Sequence, residues 1–119
     1  MSEKREFPGG AKRDSNQGKI RPDLISPYML KALGRVLATG AEKYGARNWE
    51  KSMPQEVLME SAARHYVSWM AGEADEDHAT HLIFNIMAWI HNRDKDPSYT
   101  GAIIYDYTTK SQELEKEMD

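Results

Sequence analysis

Three stretches of this chain repeat apolar residues every three or four positions, and each is bracketed by residues that start or stop helices. The first runs from about Pro27 to Tyr44. Ser26 suits an N-cap, Pro27 the first helical position, and Gly45 the stop. Leu30, Leu33, Leu37, Ala41 and Tyr44 form its apolar stripe. The second runs from about Pro54 to Gly72, with Leu58, Ala62, Tyr66, Trp69 and Met70 on the side expected to be buried. The third runs from about Asp77 to Asn92, where Leu82, Ile83, Ile86, Met87 and Ile90 fill an arc about 140° wide. Three amphipathic helices with short connections predict an all-α protein, a small helical bundle of about three main helices.

The flanks read differently. Residues 1–27 hold six Lys or Arg against four acids, with few apolar side chains. They predict an irregular N-terminal arm, flexible over 1–10 and ending in the turns at Arg21-Pro22-Asp23 and Ser26-Pro27. Residues 94–101 form a turn-rich linker. Ala102–Thr109 is β-branched and aromatic, suited to a short strand or a C-terminal docking arm, and residues 110–119 are acidic and polar. Residues 94–119 carry seven acids and three lysines, so the chain is basic in front and acidic behind. The 119 residues fit a single domain over 1–119 with its core at about 20–93. A domain of this size buries only about two-thirds of its surface, which favours oligomerisation.

Composition removes several chemistries. There are no cysteines, which excludes disulfides, thiol catalysis and Cys-ligated zinc. A metal would have to be held by carboxylate, imidazole or amide groups. The net charge of −3 makes non-specific nucleic-acid binding unfavourable, so no stable nucleic-acid complex is expected. No apolar run reaches the roughly 20 residues of a membrane span, and the N-terminus has no apolar signal region. A cytoplasmic setting is the expectation. Gly18-Lys19 lacks the spacing of a P-loop, and there is no Ser-centred elbow or dinucleotide-binding fingerprint.

The densest chemical signal is Gly72-Glu-Ala-Asp-Glu-Asp-His-Ala-Thr-His81, followed by Asn85. On the third helix Asp77, His78, His81 and Asn85 share one stripe opposite the Leu/Ile arc. His78 and His81 are one turn apart, so both imidazoles can approach one point. Glu73, Asp75 and Glu76 lie at the junction feeding that stripe. Clustered carboxylates with imidazoles suit a divalent cation, Mg²⁺ or Mn²⁺. The plainer reading is a solvated helix face with Asp77 as its N-cap. On the second helix His65 and Glu73 fall inside or at the edge of the apolar arc, where a carboxylate needs a cation or hydrogen-bond donors. A third constellation is basic: Lys19 and Arg21, then Lys43 and Arg47 beside Asn48 and Trp49. Cations beside aromatics suit a phosphorylated, base-bearing ligand.

Taken together, several runs resemble the phage dATP/dGTP diphosphohydrolases. They are Gly10-Ala-Lys-Arg-Asp14, Gly18-Lys-Ile-Arg-Pro-Asp-Leu-Ile-Ser-Pro27 and Gly40-Ala-Glu-Lys-Tyr-Gly-Ala-Arg-Asn-Trp-Glu-Lys51. Ser61-Ala-Ala-Arg-His65, Trp69, Gly72-Glu73 and the His78-x-x-His81-x-x-x-Asn85 helix complete the set. The resemblance covers about residues 9–92. That family is similar to the all-α MazG-like nucleotide pyrophosphohydrolases, although no paired Glu-x-x-Glu helix stands out here. The loop from Glu73 to His78 is shorter than the family pattern, so which of Asp75, Glu76 and Asp77 matches the family acid stays open.

The resemblance implies metal-dependent hydrolysis of a purine deoxynucleoside triphosphate, dATP or dGTP, to the monophosphate and pyrophosphate, by a homo-oligomer in phage nucleotide metabolism. The cation ligands would be Glu73, Asp77, His78 and His81, with Glu42 and Asn85 as further candidates. His65, Glu73 and Asp77 would serve catalysis. Lys19, Arg21, Lys43, Arg47, Asn48 and Trp49 would bind the substrate. Two other readings fit the same residues: a non-catalytic nucleotide-binding or protein-interaction module, and an HD-type triphosphohydrolase. The latter wants a His-Asp pair, whereas Asp77-His78 has the reverse order.

Overall fold

The computed structural model describes residues 4–96 and 98–99. Three helices carry the fold: α1 (Pro27–Tyr44), α2 (Gln55–Met70) and α3 (His78–Lys95). The punctuation anticipated for α1 is all in use. The Met29 N–H donates to the Ser26 Oγ at 3.3 Å, Pro27 occupies the first turn, and Gly45 closes the helix at φ 91°. Asp77 caps α3, whose last turn carries Arg93 and Lys95 against the negative end of the helix dipole. These cations let α3 run three residues past the anticipated Asn92.

The N-terminal arm holds a small ribbon that the sequence did not signal. β1 (Lys4–Glu6) and β2 (Lys12–Asp14) pair antiparallel, with Arg5 opposite Arg13, and every strand residue is exposed. The charged strands lack the apolar alternation that marks a half-buried sheet, so no period announced them. The anticipated C-terminal arm at Ala102–Thr109 lies outside the described residues.

α2 and α3 form an antiparallel hairpin. His65 meets His78, Ser61 meets Asn85 and Gln55 meets Trp89, the numbers rising on one helix as they fall on the other. α1 packs on α3, so α3 is the central helix. Its covered face differs from the one its apolar residues suggest. His78, Asn85, Ala88 and Asn92 are buried, while Ile86 and Ile90 are 47% and 40% exposed. The same inversion leaves Tyr66, Trp69 and Met70 of α2 and Tyr44 of α1 exposed, although Leu33 and Leu58 are buried as expected.

The physical reason lies in how the polar stripe is satisfied. The Asn85 amide donates to the His81 carbonyl at 2.8 Å and to the Ser61 Oγ at 3.1 Å. The Asn92 amide donates to the Ala88 carbonyl at 2.8 Å. Each amide thus returns a hydrogen to its own helix and can be buried without an orphaned donor. Ala88, 1% exposed, keeps the stripe narrow where it packs.

Candidate functional site

Gly72, at φ 74°, turns the chain out of α2 in a conformation costly for other residues. The loop then carries Glu73, Asp75, Glu76 and Asp77 to the first turn of α3 in a few residues. Loop acids and helix imidazoles therefore share one end of the α2–α3 hairpin. His65 Nδ1 lies 2.9 Å from His78 Nδ1, and His78 Nε2 lies 2.7 Å from Asp75 Oδ1. The His65 ring stacks on His81 with centroids 4.8 Å apart and planes 14° from parallel. His81 Nε2 stands 3.6 Å from Glu76 Oε1. His78 is buried, His65 and His81 are half-buried, and the four loop acids are exposed.

The hydrogen bond to Asp75 raises the His78 imidazole above its ordinary pKa, and the charges of Asp75, Glu76 and Glu73 add to the rise. His78 in turn holds the Asp75 carboxyl below the usual carboxylate range. His65 moves the other way. Burial lowers it first, and the neighbouring His81 and His78 charges lower it further against the pull of Glu76. Both directions agree with His78 donating to Asp75 through Nε2, and the facing Nδ1 atoms of His78 and His65 can share one proton.

The donor set fits a divalent cation. One oxygen or nitrogen from each of Glu73, Asp75 and His78 lies within 4.8 Å of the others, and so do those of His65, Glu76 and His78. Ligand atoms about 2.1–2.4 Å from one ion stand at most about 4.8 Å apart. Among the candidate ligands, the structure brings together Glu73 and His78, and His81 lies beside them through its ring contact with His65. Asp77 is committed elsewhere. Its Oδ1 accepts from the Thr80 N–H at 3.3 Å and its Oδ2 from the Thr80 hydroxyl at 2.6 Å. The Thr80 hydroxyl, followed by its N–H, holds the Asp77 carboxyl low. Asn85 binds Ser61 and its own helix instead of joining the acids, and Glu42 is exposed on α1 outside both donor groups.

Beside this cluster runs a cleft of about 920 Å³, walled by α1, the Ala46–Trp49 segment, α3 and Ser61 of α2. Lys43, Arg47, Asn48 and Trp49 line it, as do Asp77 and His81. Half of the basic constellation and two members of the acid–imidazole stripe therefore face one space. Arg47 adopts a left-handed backbone, φ 63°, and its guanidinium pairs with Glu50. Trp49 also meets His91 edge-on at 4.8 Å, tying this segment to α3. Lys19 and Arg21 do not line the cleft, and Arg21 is held by both oxygens of Asp23 at 3.0 and 2.8 Å.

Arg35, Ser61 and Phe84 line the same cleft and were not among the expected site residues, although Ser61 opens the Ser61-Ala-Ala-Arg-His65 run. A signal for Ser61 existed: it sits four residues before His65, on the same face of α2. Arg35 gave none, because a lone cation on a helix has no local partner to mark it.

No helix among the described residues is long and apolar enough to cross a membrane. No solved structure matches the chain. The dATP/dGTP diphosphohydrolase of Salmonella phage PMBT28 is 32% identical over 84 residues, which are 65% of this chain and 29% of that protein. The chain thus spans under a third of that curated relative's length. The family described as dATP/dGTP diphosphohydrolase, N-terminal, matches residues 9–101, the span of all three helices and the acid–imidazole cluster, and the chain belongs to that family.

Proposed function

We propose that this chain binds Mg²⁺ or Mn²⁺ at the α2–α3 junction and hydrolyses purine deoxynucleoside triphosphates, dATP and dGTP, to monophosphate and pyrophosphate. The observation that carries this reading is the convergence of Glu73, Asp75 and Glu76 on His78 and His65 at the edge of a cleft that holds cations and aromatic rings. The relative's name, dATP/dGTP diphosphohydrolase, supports the substrate class.

His78 and Glu73 would hold the cation, with Asp75 or Glu76 completing the carboxylates and His81 adjoining them. Held by these residues, a divalent cation would supply positive charge against the triphosphate and lower the pKa of a water. His65 orients His78 through the Nδ1 contact, and a proton can pass between those two nitrogens. Asp77 fixes the start of α3, and with it the direction of both His78 and His81. Lys43 and Arg47 face the cleft and meet phosphate oxygens, while Asn48 and Trp49 meet the nucleoside. The exposed apolar residues of α2 and α3 support a homo-oligomer, and the nucleotide pool places the activity in the host cytoplasm.

The test is a panel of nucleoside triphosphates with and without Mn²⁺, resolving pyrophosphate from phosphate and triphosphate. Pyrophosphate released from dATP and dGTP only with Mn²⁺ is the expected result. No turnover across the panel overturns the proposal, and inorganic triphosphate as product would assign an HD-type reaction. A second reading, nucleotide binding without catalysis, is an outcome of the same test. Metal-independent nucleotide binding with no product would select it.

A further inference from the structure

The cleft holds three features that the proposed chemistry leaves unused. Gly40 sits inside α1, where glycine weakens a helix relative to alanine. It lines the cleft, and a Cβ built on it would meet nothing within 4 Å. Close packing within the described residues therefore does not require glycine there. Ser61 accepts the Asn85 amide hydrogen at 3.1 Å, and Asn85 is buried and fixed by its second bond to the His81 carbonyl. With its oxygen held as an acceptor, the Ser61 hydroxyl keeps its own proton for a ligand in the cleft. Arg35 forms no salt bridge to a described residue, yet lies close enough to Asp77 to lower that carboxyl. An unclaimed guanidinium beside an acid–imidazole cluster suits a phosphate.

We infer that Arg35, Ser61 and Gly40 complete the nucleotide's seat in this cleft, with Arg35 on the phosphates at the Asp77 end, the Ser61 hydroxyl donating to the ligand, and Phe84 and the bare backbone of Gly40 walling the nucleoside. The inference rests on the nucleotide reading above. The cleft volume of about 920 Å³ lies within the roughly 300–1,000 Å³ span of small-molecule sites. Asp77 and His81 line it too, so a nucleotide seated there has its charged end beside the proposed cation ligands.

Gly40→Leu tests this directly, because a structural role and a ligand-clearing role predict opposite outcomes. A side chain in open space on a helix leaves the thermal unfolding midpoint unchanged or higher, yet it fills the cleft. The expected result is a KM for dATP and dGTP raised at least about tenfold. Ser61→Ala, which removes one oxygen, is the second variant should Gly40→Leu not fold. It is expected to raise KM several-fold with a smaller change in kcat. Calorimetry with dAMP and dGMP, the reaction products, separates this inference from the catalytic reading. If the wild type releases no pyrophosphate but binds dGMP, and Gly40→Leu loses that binding, the catalytic reading fails and the cleft assignment stands. Unchanged KM or product affinity in both variants overturns the assignment, as does a wild type that neither turns over nor binds either product.

Discussion

His78 is the residue on which the site turns, because both proposed donor groups contain it. Its raised pKa and the lowered pKa of Asp75 set the sign of their pH dependence. The imidazole's contribution to stability is fully present below its unfolded value of about 6.5 and is lost as pH rises through the raised folded value. The carboxylate's contribution is present above about 3.9 and is lost as pH falls through its lowered folded value. Asp75→Asn is therefore expected to destabilise the chain near pH 5.5 and to have little effect near pH 9, measured by urea unfolding. His65 works in the opposite sense: its lowered pKa gives stability above about 6.5 that is lost as pH falls through the folded value. An NMR titration of the imidazoles is expected to show His78 titrating lower in Asp75→Asn than in the wild type. Asn85 is the other residue of consequence. Asn85→Ala removes the amide that donates to the Ser61 hydroxyl and, beside the helical bond, to the His81 carbonyl, and is expected to cost about 1–3 kcal/mol in the same unfolding experiment.

At the scale of elements, α3 does two jobs with one residue at its start. Asp77 is an N-cap and lines the cleft. Asparagine caps a helix about as well as aspartate, whereas alanine costs about 1 kcal/mol. Asp77→Ala is thus expected to lose that much stability, and Asp77→Asn to keep it. If Asp77→Asn also keeps its Mn²⁺ affinity, Asp77 is a cap and Asp75 and Glu76 are the loop's ligands.

The helices themselves were legible because their ends are written in local chemistry: Ser26-Pro27, Gly45, Pro54, Gly72 and Asp77 all mark real boundaries. The buried faces were less so. Periodicity identifies the apolar face of α3 but not the face that its neighbours cover, and Asn85 and Asn92 are buried because each amide bonds back to its own helix. The histidine stripe was readable from spacing, while the Asp75–His78–His65 chain needed the turn at Gly72 to exist.

At the scale of the molecule, the uncovered apolar residues form the largest unbalanced term. Trp69 is 53% exposed, and Tyr66, Met70, Ile86 and Ile90 are exposed as well. Fully burying a large apolar side chain is worth about 1.5–3 kcal/mol, so a few of these residues covered together would sustain an association. The chain is expected to run in light scattering at a multiple of its 13.6 kDa. Ile86→Lys is expected to shift it toward the monomer if the α3 arc is the contact. A monodisperse monomer at micromolar concentration would instead assign that surface to another segment or partner.

Binding of Mn²⁺ at about pH 8, where His78 sheds its proton more readily, is the most direct measurement of whether the acids and imidazoles at the α2–α3 junction act together. Calorimetry of the wild type is expected to show saturable binding that weakens at least about tenfold in His78→Gln, with the helical circular dichroism of the two proteins unchanged. A wild type that takes up no Mn²⁺, or a His78→Gln protein that binds it equally well, would contradict the cation site.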